Sequence, residues 1–222
     1  MKIIWAIALA LLVTAVILLY HRESFWSPAM PILVISIPGS KRREHMKELL
    51  KDYPGKIQFM DGIIVTDDAT KRYHMKQLDL PESLETIRGG DLGCALAHIY
   101  TYKYIIDHGL ERVLILEDDV DVTVPNALDE IADYTHPKTE MEPHLIWLHP
   151  QDSFGTQAQL VSQEGAQVLY EHRARLLARQ IDMAIWGHDV PVMYVRGPVL
   201  FKHQFEFNDF ATSERMQLNE TK

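Results

Sequence analysis

The sequence predicts a three-layer α/β fold with a mostly parallel central sheet. Apolar strand-like segments alternate with segments whose apolar residues recur at helical spacing, which is the pattern of strand–helix–strand units. Residues 113–116 are Val, Leu and Ile without polar alternation, as expected for a strand that is buried on both faces. The 222 residues, of which 47% are hydrophobic, suffice for one globular domain.

The first part of this pattern is a strand, a helix and a second strand. Residues 31–37 are an apolar strand, and Ser40 is positioned to cap the helix that follows the Pro38-Gly39 turn. Pro54 and Gly55 end this helix, and residues 57–60 form the second strand. The apolar face of the helix consists of Met46, Leu49, Leu50 and Tyr53.

The next segments are a polar loop and a long helix. Residues 66–90 contain Pro81 and few apolar side chains, which predicts a loop with short helical pieces. Asp91 is the predicted N-cap of a helix that ends at Gly109. The apolar face of this helix consists of Leu92, Ala95, Leu96, Ile99, Tyr102 and Ile106.

The remaining elements continue the alternation of helices and strands. Ser162 is the predicted N-cap of a helix over residues 163–178, with Glu164 in its first turn. The other predicted elements are a helix over residues 125–134 and strands over residues 144–148, 156–161 and 192–195.

An apolar run at residues 3–20 predicts a membrane anchor. Only Thr14 is polar in this run, which is about 27 Å long as a helix. The alternative is a signal peptide, but the run is longer than the usual apolar part of such a peptide. Lys2 and Arg22 flank the run and leave its orientation open. We therefore expect an anchor at residues 1–21, a linker at 22–30, a domain at 31–210 and a flexible tail at 211–222.

This anchor predicts a single-pass membrane protein. In a bacterium the domain is expected on the cytoplasmic side of the inner membrane, and in a eukaryote it is expected in the lumen of the secretory pathway.

The formal net charge of −9 argues against nucleic acid as a partner, because such binding depends on basic side chains that neutralise phosphates. Cys94 is the only cysteine, so it excludes an intrachain disulfide and is expected to be a small buried apolar residue.

A cluster of four acids follows the buried strand: Glu117, Asp118, Asp119 and Asp121. Ligands of parallel sheets bind beyond the carboxyl ends of the strands. Crowded carboxylates raise one another's pKa unless a cation neutralises them, and hard divalent cations take oxygen ligands. The cluster therefore predicts a metal site. A solvated turn is the alternative, whereas an EF-hand loop is disfavoured because Val124 stands at the position that requires glycine.

Three separated blocks of the chain resemble glycosyltransferase family 25, which contains lipooligosaccharide and collagen galactosyltransferases. The blocks are residues 34–46, residues 90–98 with 115–120, and residues 155–166 with Ile181-Asp182. The chain departs from the family pattern at three positions, because Asp91 replaces the usual Glu, Ala97 replaces the usual Ser, and Gln159 stands where an aromatic residue is frequent.

The resemblance implies a GT-A-like, Rossmann-like fold and an inverting transfer of a hexose, galactose first, from a nucleotide sugar such as UDP-galactose. The acceptor would be a glycan or glycolipid, as in lipopolysaccharide biosynthesis. A divalent ion, Mn²⁺ or Mg²⁺, would stabilise the leaving diphosphate. Asp119 is our first candidate for metal contact and Asp121 the second. By analogy with other enzymes that carry Glu-Asp-Asp, Glu117 and Asp118 would hold the ribose or metal-bound water.

Basic and glycine residues near the strand ends are further candidates for donor binding. Arg42 and Arg43 follow the first strand, where guanidinium groups can meet a diphosphate, although a solvated helix face is equally compatible. Gly90 and Asp91 begin the central resembling block, where glycine permits a close approach of a ligand or only shapes the turn.

Two residues are candidates for catalysis. Asp182 is the predicted base that takes the proton of the acceptor hydroxyl, with Asp152 and Asp189 as alternatives. His98 either orients the substrate or is a structural histidine on the apolar face of its helix. The alternative function is a non-catalytic nucleotide-sugar or carbohydrate-binding protein on the same fold.

Overall fold

The computed structural model describes residues 29–132, 144–148, 150 and 155–203. These residues form a six-stranded sheet and a separate pair of strands, with helices packed on both faces of the larger sheet. The strands are β1 (Ile32–Ser36), β2 (Ile57–Asp61), β3 (Arg112–Glu117), β4 (Val120–Val122), β5 (Leu145–Trp147), β6 (Ala158–Ser162), β7 (Tyr194–Arg196) and β8 (Phe201–His203). The helices are α1 (Lys41–Leu49), α2 (Asp68–Gln77), α3 (Gly89–Asp107), α4 (Ala127–Ala132), α5 (Gln163–Glu171), α6 (Arg173–Leu176) and α7 (Ile181–Trp186).

The six-stranded sheet has the order β2-β1-β3-β6-β5-β7. β1 is parallel to β2 and β3, and β5 is parallel to β7, which confirms the predicted α/β class with a mostly parallel sheet. β6 is the exception, because it runs antiparallel to both β3 and β5. The segment between β5 and β6, residues 148–157, is shorter than the dozen or more residues that a parallel crossover requires.

The central strands are buried on both faces, as their sequence predicts. In β3, Val113 and Ile115 pack into the core that includes α3, whereas Leu114 and Leu116 pack into the core that includes α1 and α4. All four of these side chains are fully buried. The two cores lie on opposite faces of the sheet because successive side chains of a strand point in opposite directions. The domain is therefore a three-layer sandwich.

Two of the predicted helix caps are confirmed and one is wrong. The Ser40 hydroxyl accepts a hydrogen bond from the Arg43 backbone N–H, and the Ser162 hydroxyl accepts one from the Gly165 N–H. Asp91 is not an N-cap, because α3 begins earlier, at Gly89, whose φ of +60° makes the turn into the helix. Asp91 instead lies in the first turn of α3, where the helix dipole favours a carboxylate.

Other boundaries differ from the sequence prediction for local reasons. The segment predicted as a loop with short helical pieces contains the ten-residue helix α2, in which only Met75 is buried, so no apolar periodicity marks it in the sequence. The helix predicted over residues 163–178 is divided into α5 and α6 at His172, where the backbone leaves helical geometry. The strands β4 and β8, which pair antiparallel, were not predicted.

Within the ranges that the structure describes, no helix is long and apolar enough to cross a membrane. The predicted anchor at residues 1–21, most of the linker and the predicted tail at 211–222 lie outside the described residues.

The start of α3 packs against the chain that follows β2. A Cβ atom added at Gly93 would lie 2.1 Å from the backbone carbonyl oxygen of Ile63, so only glycine fits at this position. Gly93 comes directly before Cys94 and two residues after Asp91, so this contact fixes the helical turn that carries both side chains.

We expect Gly93→Ala to destabilise the domain by about 3 kcal/mol, at the upper end of the usual cost of overpacking, because the obstructing atom belongs to the backbone. Gly109→Ala is the comparison, since a Cβ there meets no atom within 4 Å and only the positive φ is unfavourable. That change should cost about 1–2 kcal/mol. Urea unfolding measures both values, and an equal loss in the two variants would contradict the steric explanation.

Candidate functional site

A pocket of about 290 Å³ opens at the carboxyl end of β3. Its lining includes four carboxylates: Asp91 from α3, Glu117 from β3, Asp119 from the turn that follows, and Asp182 from α7. These residues are far apart in the sequence but come together where the central strands end, which is where ligands of α/β sheets bind. The pocket therefore collects four of the eight acids that the sequence analysis named as candidates.

Glu117 lies at the centre of a hydrogen-bonded group. Its Oε1 atom accepts a hydrogen bond from the Thr156 hydroxyl and lies 3.1 Å from His98 Nε2. His98 is fully buried on α3, so the Glu117 carboxylate is held between a helix and the residues that precede β6. Gln159 in turn holds Thr156 in place. The Gln159 side-chain amide donates a hydrogen bond to the Thr156 carbonyl oxygen and accepts one from the Tyr102 hydroxyl.

Arg42 lies beside the next two acids. Its Nη1 atom is 3.5 Å from Asp118 Oδ1 and 3.7 Å from Asp119 Oδ2. Burial raises the pKa of Asp118, the Ser36 hydroxyl and the Arg42 guanidinium act in the opposite direction, and the charges of Asp119 and Glu117 raise the pKa further. Arg42 therefore partly neutralises an acidic cluster that is unfavourable in a partly dehydrated site.

Asp182 faces the same acidic pocket from α7. Burial is the main cause that raises the pKa of its carboxyl group, and the negative charges of Glu117 and Asp91 add to the effect. The Met183 backbone N–H donates a hydrogen bond of 2.7 Å to Asp182 Oδ1 and favours the ionised form. Asp182 is thus a carboxylate of increased proton affinity at the wall of the pocket.

The structure places three other sequence candidates away from this pocket. Arg43 donates to Asp61 at 2.9 Å at the end of β2, and its guanidinium stacks on Phe59. Asp121 lies on β4, accepts a hydrogen bond from the Val122 N–H, and is not among the described residues that line the pocket. Asp189 pairs with Arg179 at 3.0 Å.

Two of the remaining candidates lie near the pocket but not in its lining, and one lies outside the described residues. His98 lies behind Glu117 rather than in the lining, and Gly90 lies in the first turn of α3. Asp152 lies outside the described residues.

Sequence reasoning missed several polar residues of the pocket. Cys94 was expected to be a buried apolar residue, but it is only partly buried and lines the pocket. Thr156 and Gln157 also line it, next to β3, where the Glu117 N–H donates to the Gln157 carbonyl. Both lie in a block that carries the family resemblance, which was the available signal. Gln180 had no such signal, and its amide lies 3.5 Å from Asp91.

We expect Asp118→Asn to stabilise the domain at neutral pH. The pKa of Asp118 is higher in the folded protein than the ordinary value of 3.8, so the unfolded chain loses this proton first as the pH rises. The free energy of unfolding of the wild-type protein therefore falls as the pH rises from about 4, the pKa in the unfolded chain, to the raised pKa in the folded protein. Asparagine cannot ionise, so the variant does not lose this stability.

The melting temperature of Asp118→Asn should exceed that of wild type by a few degrees at neutral pH, since 1 kcal/mol corresponds to about 2–4 °C in a domain of this size. The difference should shrink in acid. Thermal unfolding followed by circular dichroism over a pH series measures it, and a gain that is independent of pH would contradict this cause.

The sequence is similar to a family of glycosyltransferases and to two galactosyltransferases of known sequence. Residues 29–149 match the sequence model of glycosyltransferase family 25, an LPS biosynthesis protein family. Procollagen galactosyltransferase 2 of Mus musculus is 29% identical over 96 residues, and its Homo sapiens counterpart is 29% identical over 98 residues. Each match covers 40% of this chain and 15% of the relative, so the chain corresponds to a small part of these proteins.

The fold also matches a solved structure. A glycosyltransferase involved in the glycosylation of the major capsid of PBCV-1 superposes with a TM-score of 0.52 at 14% identity, over 83% of this chain and 100% of that chain. At this identity the match concerns the fold alone. The family match, in contrast, extends over more than half of the sequence and includes β1, α1 and the acids that follow β3. The chain therefore belongs to glycosyltransferase family 25.

Proposed function

We propose that this chain is a metal-assisted, inverting glycosyltransferase with a GT-A-like fold. It transfers a hexose, galactose, from UDP-galactose to a hydroxyl group of a glycan or glycolipid such as a lipooligosaccharide. The observation that carries this proposal is the convergence of Asp91, Glu117, Asp119 and Asp182 on one pocket beside Arg42. Family membership supports sugar transfer, and the names of the relatives support galactose as the sugar.

The residues of the pocket fit a hard divalent cation. Mg²⁺ and Mn²⁺ accept oxygen ligands and are commonly held by one or two carboxylates together with the phosphates of the substrate. Asp119 offers such a carboxylate at the pocket wall, and Asp121 is the second candidate on the next strand. The ion would supply a Lewis acid for the leaving nucleoside diphosphate.

Arg42, Glu117 and Asp118 are proposed to hold the donor. In the structure Arg42 Nη1 lies 3.5 Å from Asp118 and 3.7 Å from Asp119, and a guanidinium beside the pocket can make charge-assisted hydrogen bonds to a diphosphate. Glu117 is kept in place by Thr156 and His98 and can accept hydrogen bonds from ribose hydroxyls. Positioning of the donor in this way lowers the entropic part of the barrier.

Asp182 is proposed as the base of the transfer. The acceptor oxygen attacks the anomeric carbon as the bond from that carbon to the diphosphate oxygen breaks, and the Asp182 carboxylate takes the hydroxyl proton. Attack from the side opposite the leaving group inverts the anomeric configuration. The raised pKa of Asp182 matches this role, because a stronger base takes the proton more readily.

The membrane anchor at residues 1–21 is part of the proposal. Its apolar run supports a single-pass protein whose domain acts on membrane-bound or membrane-derived glycans. A chain that begins at Ser27 should then stay in solution, whereas the full chain should fractionate with membranes. Recovery of the full chain in the soluble fraction would contradict this part of the proposal.

Release of nucleoside diphosphate tests the proposed activity directly. The protein is incubated with Mn²⁺ and a panel of nucleotide sugars, with a mixture of glycans as acceptors. We expect UDP release with UDP-galactose and labelled galactose in a glycan product. Donor binding without release or transfer under any condition would instead support the non-catalytic carbohydrate-binding alternative.

We expect Asp182→Asn to lower kcat by about 10²- to 10⁴-fold, the usual contribution of a general base, while donor binding is retained. In wild type, activity should fall as the pH drops through the raised pKa of Asp182, because only the ionised form accepts the proton. This acid limb should lie above the pH expected for an ordinary aspartate. Steady-state kinetics over a pH series and calorimetric titration with UDP measure the two effects, and Asp189→Asn is the matched control outside the pocket.

We expect Asp119→Asn to abolish the stabilisation that Mn²⁺ plus UDP gives the wild-type protein. Ligand-induced stabilisation follows mass action, about 2.7 kcal/mol at a hundredfold excess over Kd. Asp121→Asn is the matched variant, because this residue lies on β4 rather than at the pocket wall. It should keep most of the stabilisation. Thermal shift with and without ligand compares the two variants, and an equal loss in both would show that Asp121 is as important as Asp119.

A further inference from the structure

One group of side chains at the edge of the pocket offers donor atoms that differ from those of the hard-cation site. The Cys94 sulfur, a ring nitrogen of His98 and a carboxylate oxygen of Glu117 all lie within 4.8 Å of one another. Cys94 and His98 are four residues apart on α3 and therefore lie on the same helix face, one turn apart. Glu117 meets them from the end of β3. The three side chains offer sulfur, nitrogen and oxygen from two rigid elements.

We propose that Cys94, His98 and Glu117 form a binding site for Zn²⁺ or a similar thiophilic divalent ion, and that an ion in this site inhibits the enzyme. The ion binding is independent of the proposed function, whereas the inhibition rests on it. The site is distinct from the Asp119 site in its ligands, since thiolate and imidazole select Zn²⁺ over Mn²⁺ and Mg²⁺.

The geometry is close to that of a zinc site. Tetrahedral zinc with bonds of about 2.0–2.3 Å places its ligand atoms roughly 3.3–3.8 Å apart. A contraction of roughly 1 Å within the group is therefore sufficient. Cys94 can make this movement because it is only partly buried and lines the pocket. His98 is fixed in the core, and Glu117 already lies 3.1 Å from its Nε2 atom. A water molecule from the pocket completes the coordination, as in zinc sites with three protein ligands.

The hydrogen bonds of His98 also permit metal binding. Nε2 contacts Glu117, whereas Nδ1 is buried and has no hydrogen-bond partner among the described residues. When the cation takes the place of the hydrogen between Nε2 and Glu117, that hydrogen moves to Nδ1 and breaks no existing hydrogen bond there. The imidazole stays neutral, and the Cys94 thiol releases its proton to solvent as the thiolate binds the ion.

The electrostatic setting favours a cation at this point. Asp91, Asp119 and Asp182 line the same pocket as Cys94 and Glu117, and a cleft lined by one sign of charge concentrates ions of the other sign. A bound ion would withdraw the Glu117 carboxylate from the donor and fill space beside Asp182. Inhibition then follows without any change of fold.

Co²⁺ is the spectroscopic probe for this site. A thiolate bound to Co²⁺ gives a charge-transfer band in the near ultraviolet, and Cys94 is the only cysteine in the chain, so the band reports this residue alone. We expect one Co²⁺ per chain with this band, and its loss on addition of an equimolar amount of Zn²⁺. Absence of the band at stoichiometric Co²⁺, in protein with native circular dichroism, would overturn the proposal.

Variants separate this site from the hard-cation site. Cys94→Ser keeps the size of the side chain, and it should abolish the band and weaken Zn²⁺ binding by at least about tenfold in competition with a chromophoric chelator. Asp119→Asn is the control and should keep both. His98→Gln should weaken Zn²⁺ binding as strongly as Cys94→Ser. Zn²⁺ binding of wild-type strength in Cys94→Ser would contradict the assignment.

Activity gives a second, independent readout. With Mn²⁺ in excess, Zn²⁺ should lower UDP release by the wild-type protein at least tenfold, whereas the ratio of activity with and without Zn²⁺ should stay near one in Cys94→Ser. The two proposals fail in different ways. Absence of activity in every untreated protein contradicts the proposed function, while the cobalt band still decides the metal site. An active wild-type protein that binds Zn²⁺ without inhibition contradicts the inhibitory role.

Discussion

The hydrogen bonds of the Glu117 carboxylate hold the candidate site together. This one group joins the end of β3 to α3 through His98 and to the start of β6 through Thr156. The three segments are distant in the sequence, and two of them contribute further lining residues, Asp91 and Cys94 from α3 and Gln157 from the chain before β6. The buried position of His98 makes the arrangement rigid, because a fully packed ring cannot follow movements of the solvent-exposed side.

The reversed direction of β6 is the second feature on which the pocket depends. In an antiparallel pair the beginning of one strand lies beside the end of the other, and Leu116 of β3 is paired with Ala158 of β6. The residues just before β6 therefore lie beside Glu117 at the carboxyl end of β3. In a fully parallel sheet Thr156 and Gln157 would lie at the opposite edge. The departure from the expected parallel order is thus what brings these two polar residues to the site.

The pocket has a cost in stability that the rest of the domain offsets. Burial and neighbouring negative charges raise the pKa values of Asp118 and Asp182, so both carboxylates are less stable when ionised in the fold than in water. The sheet, which is apolar on both faces, supplies the opposing contribution through strands such as β1 and β3, whose central side chains are fully buried. A carboxylate with raised proton affinity can serve as the base of a transfer reaction. The apolar core of the domain offsets the loss of stability that its ionised form causes.

Local patterns in the sequence determined the class of fold and much of the site. Continuous apolar strands, helical periodicity and serine caps at Ser40 and Ser162 gave the elements, because these signals depend on neighbouring residues in the chain. The family blocks and the acids after β3 pointed to the carboxyl end of that strand. The helix α2 was predicted only as short helical pieces within a loop, since it buries only Met75 and so has no apolar stripe.

The tertiary structure decided which of these residues meet. Strand direction, which the apolar pattern of a strand does not encode, brought Thr156 to Glu117. Asp121 lies on β4, which pairs with β8, and is not among the described residues of the pocket wall, although it stands only two residues after Asp119. The sequence alone thus determined the elements and the chemical types of the site residues. Their grouping depends on long-range strand pairing and helix packing, which are set by the energy of the whole core rather than by any one segment.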